Sequence, residues 1–135
     1  MTVFTHFSAG ALLGYFSPGL ASAAFLGLLS HLLLDYLPHY DFENVWLEII
    51  LGCVILGILT AGRSCTANIC LGGLAAVLPD VENLLWKLGA IGRERRIFPS
   101  HTGLIPHGRE AGKYNLAAQV VFTAAVVGFL LWSNK

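Results

Sequence analysis

Apolar residues fall along this chain in five long runs, separated by short polar or turn-forming segments. The first extends from about Val3 to Phe16 and is closed by Ser17-Pro18-Gly19, a turn signal. The second runs from Leu20 to Leu37 and stops at Pro38. The third covers roughly Val45 to Ala61 and ends at Gly62-Arg63-Ser64. A fourth begins near Thr66 and reaches Leu88 provided that a helix passes through Pro79. The fifth is Tyr114 to Trp132. None of these runs alternates with a period of two, so strands are not predicted, and a barrel cannot be closed from so few. Crossing roughly 30 Å of hydrocarbon takes about 20 residues at 1.5 Å of rise each. Runs two to five approach that length, and the first is shorter. The predicted fold is all-α, an integral membrane bundle of about five helices, four or five of them transmembrane. One membrane-embedded domain is expected over residues 1–135, with a long loop at about 89–112. Small residues at Gly10-x-x-x-Gly14, Gly72-Gly73 and Ala75-Ala76 suit close helix contacts in lipid.

Composition reinforces this picture. Hydrophobic residues are 56% of the chain and charged ones 12%, about half the usual share in a soluble domain. Eight basic residues balance eight acidic ones. A neutral, apolar surface of that kind would precipitate in water. The balance also excludes disorder and speaks against nucleic-acid binding, which needs a basic surplus. No Lys or Arg precedes the first run, which argues against a signal peptide. Cys65 and Cys70 are five apart, a spacing that on a helix turns the two thiols away from each other. A bridge between them is therefore not expected.

Threading the helices sorts the charges. Let side A be the face where the chain begins. Run one leaves it, run two returns at Pro38, and run three leaves again near Asn44. Run four comes back around Asp80, the 89–112 loop lies on side A, and run five departs. All eight acids (Asp35, Asp41, Glu43, Glu48, Asp80, Glu82, Glu94 and Glu110) and all five histidines then fall at or near side A. Lys87, Arg93, Arg95, Arg96, Arg109 and Lys113 lie there too, against Arg63 and Lys135 on side B. By the positive-inside rule side A is cytoplasmic, which predicts a multi-pass protein of the cell (inner) membrane with its N-terminus inside. Trp46, Trp86 and Trp132 read as interface anchors.

Four ionisable groups collect in one shallow layer of the membrane. His31 precedes Pro38 by seven residues, roughly 10 Å below the interface, and Asp35 is one turn further out on the same face. His6 and Asp80 reach a similar level. A charge at such depth costs about 2.5 kcal/mol or more, so these residues face the bundle interior and mark function by default. Histidine with carboxylate, and no cysteine, is the ligand set of a hydrolytic zinc site or a hard-metal site. His31-x-x-x-Asp35 offers two ligands from one helix face, and His6, Asp80, His101 and His107 are the residues that would complete one or two metals. Arg95, Arg96 and Arg109 suit an anionic substrate, because guanidinium pairs well with phosphate. Leu37-Pro38 through Asn44 and Leu78-Pro79 through Asn83 share an Asp-x-Glu-Asn pattern, read either as a duplication or as two helix starts.

Thr5-His6, Ser30-His31-Leu32-Leu33-Leu34-Asp35, Leu78-Pro79-Asp80 and the loop from Ser100-His101 to His107 resemble the small membrane-bound metal-dependent hydrolases. That family includes a LexA-regulated enterobacterial member. In it, Leu-Pro-Asp and the His-rich loop usually precede Ser-His-x-x-x-Asp, whereas here Ser-His-x-x-x-Asp comes first. The resemblance implies a multi-helix membrane fold with His6, His31, Asp35, Asp80 and His101 as ligands of a divalent metal, zinc or manganese. The expected function is hydrolysis of a phosphorylated or lipid-linked ester at the cytoplasmic membrane face, with Glu82 as general base. Expected partners are the lipid bilayer, a lipid or phosphoester substrate, and a membrane protein partner or a second copy of the chain. Two other readings compete. One is a non-catalytic membrane subunit or assembly factor whose His/Asp cluster is structural. The other is a small ion or proton transporter.

Overall fold

Leu37 shows how locally this chain writes its helix ends. It precedes Pro38, a position that disfavours helical backbone, and it sits in extended conformation one residue past α2 (Leu20–Tyr36). The computed structural model describes residues 1–109 and 111–133, so Glu110 and Lys135, assigned above to the two faces, lie outside the described residues. α1 (Val3–Phe16) and α3 (Val45–Ala61) occupy the runs that predict them. Asn44 caps α3, its side chain accepting the N–H groups of Trp46 and Leu47. α4 (Ala67–Lys87) continues through Pro79 without ending. Its Asp80-x-Glu82-Asn83 stretch is therefore helix interior, unlike its counterpart before α3, and two parallel helix starts are not what the echo marks. The long loop holds a 3-10 turn at Arg93–Arg95 and one helical turn, α5 (Pro99–Thr102), where no regular helix was expected. Pro99 fits that first turn because its missing N–H would have no partner there, and Gly103 ends it at φ 82°. α6 (Lys113–Ser133) closes the order, and the described residues contain no strand.

α1 is the axis of the bundle. It is buried almost throughout, and α2, α3, α4 and α6 all pack on it, while α3 and α4 barely touch each other. Where α1, α2 and α4 meet, only hydrogen fits between the backbones. A Cβ on Gly10 or Gly27 would run into the Gly72 carbonyl, and one on Gly72 into the Gly10 carbonyl. His6 and His31 stand one turn from Gly10 and Gly27, and Asp80 two turns from Gly72, so this contact sets all three at one level. From Phe7 toward the far end the core is apolar, with Ala11, Leu59, Ile69, Val126 and Leu130. Polar ties hold the near end. Gln119 of α6 accepts the Thr2 N–H at 3.1 Å and the Thr2 hydroxyl at 2.7 Å, and donates to Tyr40 O. Buried Glu48 of α3 accepts the N–H groups of Val3 at 2.7 Å and Phe42 at 3.0 Å.

The outside of the bundle is apolar. Phe25, Leu33, Ile50, Val121 and Trp132 are among the large side chains exposed on α2, α3 and α6. Among the described residues, α4 and α6 are the helices long and apolar enough to cross a membrane by length and composition. α2 and α3 are apolar but shorter, at 17 residues each. Contrary to expectation, Cys65 and Cys70 are disulfide-bonded, with Cα atoms 5.6 Å apart. The helical-spacing argument fails because Cys65 precedes α4 and lies in the turn, free to face back onto Cys70.

Candidate metal centre

Asp35 is the point on which the polar residues converge. Its side chain is buried, and groups from four segments approach its two oxygens. His31 Nε2, one turn earlier on α2, lies 3.0 Å from Oδ2. Ser100 of α5 donates its hydroxyl to the same oxygen at 2.8 Å, and His101 Nε2 stands 3.6 Å away. His6 Nε2 of α1 is 3.2 Å from Oδ1, and the Met1 amino group is 3.3 Å from it. His107 Nε2, from the loop, reaches to 3.7 Å of Oδ2 with its side chain 38% exposed. Asp80 completes the ring from α4. Its Oδ1 is 3.9 Å from His101 Nε2 and its Oδ2 4.0 Å from His31 Nδ1.

The second nitrogen of each central histidine fixes its tautomer. His31 Nδ1 is 2.7 Å from the Ala76 carbonyl, which can only accept, so Nδ1 carries the proton. The carbonyl lies beside the turn that Pro79 loosens, since proline has no N–H to give back to α4. His101 Nδ1 is 2.8 Å from Glu82 Oε1 and donates to it in the same way. Both Nε2 atoms therefore present lone pairs when the rings are neutral, and they lie 3.5 Å from each other. Two lone pairs and a carboxylate oxygen pointed at one place repel unless a cation or a proton stands among them.

Donor spacing tests what fits there. His31 Nε2, Asp35 Oδ2 and His101 Nε2 are separated by 3.0, 3.5 and 3.6 Å. Ligand atoms of a tetrahedral zinc ion with bonds of about 2.0–2.1 Å are about 3.3 Å apart. Buried atoms without hydrogen-bond partners point the same way: both ring nitrogens of His6, and Asp80 Oδ2. His6 Nε2 is near Asp35 Oδ1 but makes no hydrogen bond with it, and its ring stacks on His31 at 4.0 Å. These His/Asp groups could hold a metal ion: buried His31–Asp35–His101 and His6–His31–Asp80, its Asp80 partly buried, in the centre, and Asp35–His39–His107, its His107 exposed, at the rim.

The other predicted site residues fall as follows. Glu82 stands behind His101. Besides that histidine it accepts the N–H groups of Ile97 at 2.8 Å and Phe98 at 3.0 Å, so it folds the loop onto α4. Arg96 donates to Asn83 Oδ1 at 3.0 Å and lies over the Trp86 ring at 4.6 Å. It lines a cavity of about 470 Å³ beside His101 and His107, together with Lys87 and Arg93. Arg95 and Arg109 are exposed and line neither that cavity nor the apolar one next to it. Ser100 and His39 are contributors that spacing did not single out. His39 is buried, donates from Nε2 to Asp41 Oδ2 at 3.2 Å, and stacks edge-on against His107. Burial would raise the Asp41 carboxyl, but His39 and the amino group at 2.9 Å outweigh it and hold the acid below its usual range. Partial burial lowers the His107 imidazole, against the pull of Asp35. No family model, curated protein or solved structure matches this chain.

Proposed function

We propose that this protein is a multi-pass helical membrane protein that binds a divalent metal, zinc or manganese, and hydrolyses a phosphorylated or lipid-linked ester at the cytoplasmic face of the inner membrane. The observation that carries this reading is the triad of His31 Nε2, Asp35 Oδ2 and His101 Nε2, spaced as ligands of one ion would be. Three further features support it. Both histidines are held through Nδ1 by acceptors, the arrangement by which proteins orient metal-binding imidazoles. Only 33% and 28% of the apolar stretches of α4 and α6 are buried, so their apolar surface faces outward, toward lipid, a membrane protein partner or a second copy. The Cys65–Cys70 disulfide ties the α3–α4 turn to the first turn of α4, at the end opposite the cluster. Disulfides persist in oxidising compartments, which agrees with a cytoplasmic cluster as read from the basic loop.

His31, Asp35 and His101 would hold the ion, with His6 extending the set through Asp35 Oδ1 and Asp80 through His31 and His101. When bound, the metal supplies Lewis acidity toward a phosphoryl or acyl oxygen and makes water more acidic. Ser100 keeps Asp35 Oδ2 facing the histidines by donating to it. Asp80 Oδ2 has no hydrogen-bond partner and is the carboxylate atom free to take a proton. Glu82, with both oxygens engaged, orients His101 in this scheme rather than acting as general base.

Metal analysis of the purified chain in detergent tests the proposal. The expected result is bound zinc or manganese, loss of thermal stability on adding a chelator, and recovery on adding the metal back. A metal-free protein indifferent to chelator would overturn it and leave the structural reading, in which the cluster only locks α1, α2, α4 and α5 together. Glu82→Gln separates the two roles of that residue. Its expected effect is a metal affinity lower by about 10–100-fold, measured by competition with a chromophoric chelator. Unchanged affinity in a folded variant would return Glu82 to the general-base role.

A further inference from the structure

Beside the cluster, on the side where α3 and α4 fail to meet, lies a cavity of about 260 Å³. Val3 and Phe7 of α1 form its floor, Gly52 and Leu56 of α3 one wall, and Leu74 and Val77 of α4 the other. From Val45 to Leu56 the α3 wall rises about 16 Å. The groove is apolar until its upper end, where Asp35, Asp41, Glu48, Asp80, Lys87 and His107 line it, Glu48 being engaged by the Val3 and Phe42 N–H groups. There it adjoins the cavity of about 470 Å³ in which Lys87, Arg93 and Arg96 gather, and Asp41, Asn83, Lys87 and His107 border both. One continuous surface thus runs from an apolar trough, past the His/Asp cluster, to a basic pocket.

We infer that the ligand of this surface is a single-chain lipid phosphate, with its hydrocarbon tail in the α3–α4 groove and its phosphate between the cluster and Lys87, Arg93 and Arg96. The inference rests on the hydrolase reading and names its substrate class. Three observations choose this occupant. The groove is small for a ligand site, which leaves room for one chain and not for a helix. Its polar end coincides with the proposed chemistry, so a tail seated there sets a phosphate against His31, Asp35 and His101. The basic pocket is also prepared for an anion: Asn83 and the Trp86 ring hold the Arg96 guanidinium in place, with its Nε buried and unpartnered. The acid lining that pocket, Asp41, is engaged by His39. In a bilayer the tail gains little by leaving lipid for the groove, because both are apolar. The groove therefore supplies register, and the basic pocket supplies selectivity.

Photolabelling of the full chain in detergent with dodecyl phosphate carrying a diazirine at its terminal carbon tests this. The expected result is label concentrated on α3 near Gly52–Leu56 and on α4 near Leu74–Val77. Unlabelled dodecyl phosphate should compete for that label at least about tenfold better than dodecanol, as expected of a charged contact. Lys87→Gln with Arg93→Gln should reduce labelling by a similar factor, and Leu74→Trp, which fills the trough from an exposed position, should expel the label. Equal competition by dodecanol, or label spread over the outer faces of α2 and α6, would mean bulk lipid and overturn the assignment. A Leu74→Trp variant that dissociates a dimer without moving the label would overturn it in favour of a second copy. Labelling is repeated with chelator present. Label that persists in a protein without metal separates failure of the metal centre from failure of the groove.

Discussion

Asp35→Asn is expected to empty the metal centre and leave the fold standing. Asparagine keeps the size of the side chain and one oxygen that can accept the Ser100 hydroxyl, now at 2.8 Å from Oδ2. What it removes is the negative charge between His31, His101 and His6, and one anionic donor of the central triad. Loss of that donor should lower metal affinity by at least about 100-fold, more than a change behind the ligands does. The stability arithmetic gives a second readout. A metal held at about 1,000 times its Kd stabilises the folded chain by about 4 kcal/mol, so chelator should lower the melting temperature of the parent chain clearly. The variant should start from that lowered temperature and not respond to chelator. If the cluster were only structural, Asp35→Asn would remove a buried carboxylate from its histidine partners at a cost of about 3–5 kcal/mol, and neither protein would answer to chelator. Metal content by mass spectrometry together with melting curves with and without chelator distinguishes the two. A variant that still carries stoichiometric metal would refute the central role given to Asp35.

Legibility in the sequence followed the range of the interactions. α1 and α3 were readable to the residue, because Pro18, Asn44 and Gly62 mark their limits locally. The pairing of His31 with Asp35 needed only the four-residue helical repeat, and the level of His6 and Asp80 needed only counting along helices. Roles that depend on the loop were less visible. Nothing in its spacing shows that Glu82 accepts two backbone N–H groups and one imidazole, because that depends on how residues 96–101 fold back over α4. Ser100 stood beside His101 in the motif, and a Ser-His pair next to a buried carboxylate was the available signal for it. The basic residues were chosen by cluster and charge. Arg96 reaches a cavity and Arg95 does not, since neighbours on a 3-10 turn and its exit point in different directions. The Cys65–Cys70 pair escapes a spacing argument because helical geometry applies to Cys70 alone: Cys65 precedes α4, and a turn residue can face a partner that a helical one at that spacing cannot.

The same contrast between local and long-range information makes Gly72 the most consequential residue outside the site, and Gly72→Leu is expected to abolish the native bundle. At this position the obstacle is backbone: a Cβ would meet the Gly10 carbonyl, with the Gly14 Cα at 3.0 Å, and neither can rotate aside as a side chain would. Inserting methylenes into a packed core costs about 1–3 kcal/mol even where neighbours shift, and here α1 would have to separate from α4 along the contact that levels His6, His31 and Asp80. A cost beyond about 5 kcal/mol is of the order of the whole stability of a small domain. Gly57 and Gly128 supply the control, because both lie inside helices and a Cβ on either meets nothing within 4 Å. Gly57→Ala and Gly128→Ala should be neutral or raise stability by about 0.5–1 kcal/mol, through better helix propensity alone. Size-exclusion profiles in detergent and melting temperatures check all three variants. Aggregation of Gly72→Leu beside two well-behaved alanine variants is the expected pattern. A monodisperse Gly72→Leu protein that still binds metal would show that α1 and α4 need not touch through their backbones for His6, His31 and Asp80 to share a level.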